Sequence, residues 1–150
     1  MIIRTTVSPV LLAFAVLTAI IIISTITGNG KSEAQTSDSP NKLMVIWTSA
    51  DREVALNMVY MYTYNAKRNS WWDEVRLIVW GPSSKLLSED KELQDYIARM
   101  KEEGVILEAC KACADSYGVS DKLAAMGVDV KYMGVPLTDM LKSGYASMTF

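Results

Sequence analysis

The sequence predicts an α/β domain over residues 42–150, built on a mostly parallel five-stranded sheet with helices on both faces. Three observations predict it. Apolar runs and stretches of helical spacing alternate in the order βαβαβαβαβ. The clearest runs are continuous rather than alternating, as in strands buried on both faces. Glycine, proline or a helix-capping residue stands at nearly every junction, so the connections are short and the strands join by crossovers.

Lys42 to Thr48 is the first strand, with Leu43, Met44, Val45, Ile46 and Trp47 in one run. Ser49 or Asp51 caps the helix that follows, Arg52 to Asn69. Its apolar residues go nearly all round: Val54, Ala55, Leu56, Met58, Val59, Tyr60, Met61, Tyr62 and Tyr64. One sheet cannot bury every side of such a helix. A second protein surface, an oligomer interface, is expected on the remainder; an unusually apolar core helix is the alternative.

Glu74 to Trp80 is the second strand, closed by Gly81-Pro82. Ser88 is expected to cap the next helix, whose Leu93, Ile97 and Met100 share one face and whose end is set by Gly104. Val105 to Ala109 is the third strand, and Cys110 follows at its end. A short helix runs from Lys111 to near Gly118. Ser120 is expected to cap a further turn or two that Gly127 closes. Val128 to Met133 is the fourth strand, Pro136 starts a helix running to Lys142, and Tyr145 to Phe150 is the last strand.

The segment ahead of this domain is different in kind. No charged residue lies between Arg4 and Lys31, and about Val7 to Ile26 reaches the roughly 20 apolar residues needed to cross a bilayer. Residues 1–27 are therefore expected to be a transmembrane anchor or a signal peptide, the latter cut after Ser32-Glu33-Ala34. Arg4 and the terminal amine stay in the cytoplasm by the positive-inside rule, which places the domain on the extracytoplasmic side. Residues 28–41, rich in Gly, Ser, Thr, Asp and Pro, read as a flexible linker.

Composition excludes several chemistries. The formal charge is -2, with acidic and basic residues interspersed and no basic stripe, so nucleic acid is not expected as a partner. The chain has no histidine, which removes histidine-activated nucleophiles and histidine metal ligands. One C-x-x-C is half of a four-cysteine zinc site, and no second pair exists, so no metal and no cofactor are expected. Gly81-Pro82-Ser83-Ser84 lacks both the Walker lysine and the G-x-G-x-x-G pattern; it reads as a strand-exit turn bordering the cysteines. Trp47, Trp71, Trp72 and Trp80 read as core or interface.

The reactive feature is Cys110-Lys-Ala-Cys113, which holds the only two cysteines. Reactive groups in parallel sheets gather beyond the carboxyl ends of strands, and Cys110 lies at such an end. A cysteine at a helix start meets unpaired N–H groups and the positive end of the dipole, which favour the thiolate. Lys111 is expected to add to this and Glu108 to oppose it. Cys113 lies one turn on, close enough for a reversible disulfide, and is expected to be the more inward of the pair. The bland reading is a small buried hydrophobe or a stabilising disulfide. A C-x-x-C closes too small a loop to remove much unfolded-state entropy, which weakens the latter.

The stretch Gly104-Val-Ile-Leu-Glu-Ala-Cys110-Lys-Ala-Cys-Ala-Asp-Ser-Tyr-Gly118-Val, followed by Gly127-Val-Asp-Val-Lys-Tyr-Met-Gly-Val-Pro-Leu-Thr138, resembles the DsrE/DsrF-like (TusD/DsrE sulfur-relay) family. The resemblance covers about residues 42–150. It implies a flavodoxin-like three-layer sandwich, assembly into trimers or hexamers, and a cysteine that carries sulfane sulfur as a persulfide. Cys110 matches that cysteine by position, which implies a sulfur donor or acceptor thiol as partner and a possible sulfurtransferase activity. Cys113 is additional to the single-cysteine pattern of the sulfur carriers. Two further readings stay open: a thiol-disulfide oxidoreductase using Cys110 and Cys113, and a non-catalytic, membrane-tethered oligomeric module with a structural disulfide.

Overall fold

The computed structural model describes residues 41–150. The expected membrane or signal segment and almost all of the expected linker lie outside these residues. Among the described residues no helix is long and apolar enough to cross a membrane.

Five strands form one sheet: β1 (Lys42–Trp47), β2 (Glu74–Val79), β3 (Ile106–Cys110), β4 (Asp129–Lys131) and β5 (Ala146–Thr149). All pairings are parallel and the order is β4-β3-β2-β1-β5. The α/β expectation therefore holds, and the architecture is consistent with a flavodoxin-like one. β4 is shorter than the run Val128 to Met133 suggested.

The order has a physical consequence. From β1 to β4 the chain steps steadily to one side, so right-handed crossovers put those helices on a single face. The return to β5 runs the other way and puts the last helix on the opposite face. The packing agrees. Leu43, Val45, Trp47, Val75, Leu77, Val79, Leu107 and Ala109 share one core with Val59, Leu87, Ile97 and Leu123 of the intervening helices. Met44, Ile78 and Cys110 join a second, smaller core with Met133, Leu137 and Met140.

Helix α1 spans three windings: α-helical Arg52–Val54, π-helical Ala55–Tyr60 and α-helical Met61–Arg68. Asp51 caps it, its carboxylate accepting from Glu53 N at 2.8 Å and Val54 N at 3.1 Å. The wider π turn lets the adjacent Val59 and Tyr60 both face inward. Leu56, Tyr62 and Tyr64 pack against the same core, so the sheet and neighbouring helices cover more of α1 than its composition suggested. Met58 and Met61 stay 48% and 49% exposed.

Two sequence expectations are corrected between β2 and β3. Pro82–Glu89 is a helix, α2, not merely a strand-exit turn. Ser88 lies inside it, bonding to Lys85 O at 2.8 Å, and caps nothing. The cap of α3 (Lys91–Glu102) is Asp90, whose carboxylate accepts from Leu93 N at 3.1 Å. Gly104 ends that helix at φ 91°, a left-handed conformation that suits glycine. Helices α4 (Lys111–Ser116) and α5 (Ser120–Ala125) follow β3. Ser120 does not cap α5; its hydroxyl donates to Asp115 instead. Helix α6 (Gly134–Lys142) begins two residues before Pro136.

Candidate functional site

Cys110 is the last residue of β3 and the N-cap position of α4, as its place in the sequence predicts. Strand alternation puts Glu108 and Cys110 on the same face, the one that α6 covers. Cys110 is only 5% exposed, enclosed by Met44, Ile78, Met133 and Met140, with Trp80 and Cys113 at the border of the cluster.

Cys113 is the half-buried member of the pair, and Cys110 the buried one. This reverses the expected order. A turn of α4 would carry Cys113 inward if the interior lay beneath the helix alone. The interior over Cys110 is supplied by Met133 and Met140, from the other end of the domain.

Both cysteines are free thiols. Burial pushes the Cys113 thiol up from its ordinary value. Its hydrogen bond to the Cys110 sulfur, and the charge that sulfur would carry, push the same way. The Gly81 N–H donates to the Cys113 sulfur and opposes the shift. The net direction is upward, so Cys113 keeps its proton more readily than an ordinary thiol does.

Gly81 reaches that sulfur because the carboxyl ends of β1 and β2 are stitched together. Trp80 N donates to Trp47 O at 2.9 Å, and the Ser83 hydroxyl donates to the same carbonyl at 2.6 Å. Gly81 then turns at φ 77° into Pro82, the first residue of α2. The Gly81-Pro82 turn thus borders the cysteines, as the topology of a parallel sheet implies.

The expected neighbours of the thiols behave differently from the sequence reading. Lys111 bonds to both carboxylate oxygens of Asp115, at 2.8 Å and 2.7 Å, and lies over the Tyr132 ring. Its charge is spent on those partners rather than on Cys110. Glu108 is held by Arg76 at 3.0 Å and Lys131 at 2.6 Å, both on its Oε1. Its opposition to a thiolate is offset by these two cations. Among the described residues no group of three or more cysteine or carboxylate side chains could hold a metal ion.

Sequence reasoning missed Trp80 and Met133 as walls of the Cys110 enclosure. The signal for Trp80 was present: it follows β2 as Cys110 ends β3, with the same facing parity. Met133 carried no such signal, because a tertiary crossover delivers it.

The sequence profile of the DsrE/DsrF-like family matches residues 41–150. The chain belongs to the DsrE/DsrF-like family. Its fold is similar to that of the conserved protein of unknown function BT1422 from Bacteroides thetaiotaomicron, with a TM-score of 0.71 and 36% identity over 73% of this chain and 95% of that one. The ychN protein from E. coli shares the fold at a TM-score of 0.57, with 20% identity over 73% of this chain and 98% of that one. No curated protein sequence matches the chain.

Proposed function

We propose that this DsrE/DsrF-like chain is a sulfur-transfer protein that carries sulfane sulfur as a persulfide on Cys110. The observation that carries the reading is the place of Cys110 at the carboxyl end of β3, with Cys113 packed beside it in the same small core, in a chain without histidine. Family membership supports sulfur chemistry at that position.

The Cys110 thiol ionises and its sulfur attacks the outer sulfur of a persulfide R–S–SH, the S–S bond of that persulfide breaks, and Cys110–S–SH forms. The leaving R–S⁻ takes up the proton that Cys110 released, giving R–SH. An acceptor thiolate attacking the outer sulfur of Cys110–S–SH reverses the transfer. Because Cys110 is buried and Cys113 is half-buried, the approach runs past Cys113.

The same packing supports a second reading, a thiol-disulfide oxidoreductase in which Cys110 and Cys113 cycle between dithiol and disulfide. A structural disulfide has less support, because both thiols are free.

We further propose a flavodoxin-like three-layer sandwich held on the extracytoplasmic side, by an N-terminal anchor or after signal cleavage. Trimeric or hexameric assembly through the exposed side of α1 belongs to the same reading. Met58 and Met61 there border an apolar cavity of about 370 Å³ shared with Met148 and Phe150.

Intact-mass analysis tests the chemistry. The full chain, reduced in detergent, is exposed to inorganic polysulfide. Gain of one sulfur atom, lost in Cys110→Ser and kept in Cys113→Ser, is the expected result. Loss of two hydrogens with no sulfur gained would turn the assignment to the oxidoreductase.

A further inference from the structure

A second feature lies beside the thiols. An open cleft of about 330 Å³ is lined by Ala50, Pro82, Lys85, Leu86, Glu89 and Tyr117. Four of these six residues occupy one face of α2, at the i, i+3, i+4 and i+7 positions counted from Pro82. Neither sulfur lines the cleft, but its near end is joined to the cysteine segment through the chain. Pro82 follows Gly81, whose N–H meets the Cys113 sulfur, and the Tyr117 N–H donates to Cys113 O at 3.3 Å.

The far end carries two opposite charges that do not neutralise each other. Lys85 and Glu89 stand at i and i+4, the spacing at which helical ion pairs form. Lys91–Asp95 and Lys111–Asp115 close at this spacing and in this order. Lys85 and Glu89 do not, and neither forms an ion pair with another described residue. Both line the cleft instead, about 6 Å apart along the helix. An ammonium and a carboxylate facing one open space complement a molecule bearing a carboxylate and an ammonium of its own. The volume sits at the lower end of the roughly 300–1,000 Å³ of small-molecule sites, which suits an amino acid or a short peptide.

We propose that this cleft binds the zwitterionic head of a small aminothiol persulfide and directs its sulfur past Gly81 to the cysteine pair. The proposal rests on the sulfur-transfer reading and names its donor class. Lys85 takes the carboxylate, Glu89 takes the ammonium, and the thiol arm extends toward Cys113. The transfer is the same: Cys110–S–SH forms, and the aminothiol leaves as R–SH with the proton that Cys110 released.

The test compares donors on the full chain in detergent, reading persulfide on Cys110 by intact mass against time. Cysteine persulfide carries both charges, the persulfide of 3-mercaptopropionate lacks the ammonium, and inorganic polysulfide lacks the head. Lys85→Met and Glu89→Gln are exposed substitutions outside the reacting atoms. Each is expected to slow loading from cysteine persulfide by about three- to tenfold, with polysulfide loading unchanged. Glu89→Gln should leave the 3-mercaptopropionate donor unaffected. Unchanged loading from cysteine persulfide in both variants would overturn the cleft and leave Cys110 as a sulfur carrier. Equal slowing with all three donors would also overturn it. Failure of polysulfide itself to load wild-type Cys110 would sink the sulfur-transfer reading instead.

Discussion

Lys131 places its ammonium 2.6 Å from the Glu108 carboxylate, while its strand partner in the β3–β4 register is Cys110. The cation beside Cys110 is therefore tied to the carboxylate two residues before it. Arg76 holds the same Glu108 oxygen, and Glu108 Oε2 is buried with no hydrogen-bond partner. Glu108 is thus the anchor of a charged layer under the thiol site.

Removing that anchor leaves two cations without their shared partner. Glu108→Ala should lower the unfolding free energy by about 2–3 kcal/mol, less than for a fully buried pair because Arg76 and Lys131 keep some water. Glu108→Gln, which keeps a hydrogen-bond acceptor, should lose less. Denaturant midpoints of the three proteins check the ranking. Equal stability of Glu108→Ala and wild type would count against a structural role for the cluster.

Thiol titration checks the sulfur–sulfur contact. Iodoacetamide modification of Cys113, followed by peptide mass against pH, should show a midpoint above the free-thiol value of about 8.5. Cys110→Ala removes the hydrogen bond and the neighbouring charge, so the midpoint should fall toward the ordinary value. Burial persists in the variant and keeps it from falling further. An unmoved midpoint would mean that Cys110 does not raise the Cys113 thiol.

Acid stability follows from Glu74. Burial works against its ionisation, but hydrogen bonds from the Tyr145 hydroxyl and the Arg76 guanidinium outweigh it and hold the carboxyl below its usual value. A depressed folded-state value stabilises the fold above the unfolded value, about 4.3, and the gain is lost as pH falls through the folded value. Urea midpoints should therefore drop as pH goes from 5 toward about 3. Tyr145→Phe should flatten that drop, and an equally steep drop would show that Tyr145 does not hold the carboxylate.

Assembly is tested on α1. Met58→Glu with Met61→Glu puts two charges on its exposed side without touching the buried Val59 and Tyr60. Light scattering should show a smaller particle, with the far-ultraviolet spectrum unchanged. A particle of the wild-type size would place the interface elsewhere.

Much of the fold was legible because its signals are local. The runs Leu43 to Trp47 and Val75 to Trp80 announce buried strands, and Gly104 announces a helix end. Helix α2 was hidden because its buried face is built partly from serines. Ser83, Ser84 and Ser88 are all buried, and the Ser83 hydroxyl finds its partner on Trp47 O, 36 residues away. At the site, the position of Cys110 was readable from the strand end. The relative burial of the two cysteines was not, because Met133 and Met140 decide it from across a crossover. The pairing of Lys111 with Asp115 is written into the sequence at i,i+4 spacing.

The pairing of β1 with β5 has a consequence for the order in which the molecule is made. The Thr48 hydroxyl donates to Phe150 O across 102 residues of chain, and β1 binds β5 along its length. During synthesis β1 gains β2 early, but its other edge stays open until β5 has emerged. An apolar strand with unpaired backbone groups is then a template for wrong partners for most of translation. Non-local closure of this kind is also slow once the chain is free. The strand that opens the domain is the last to be sealed, so truncations that remove β5 should strike solubility before they strike the cysteines.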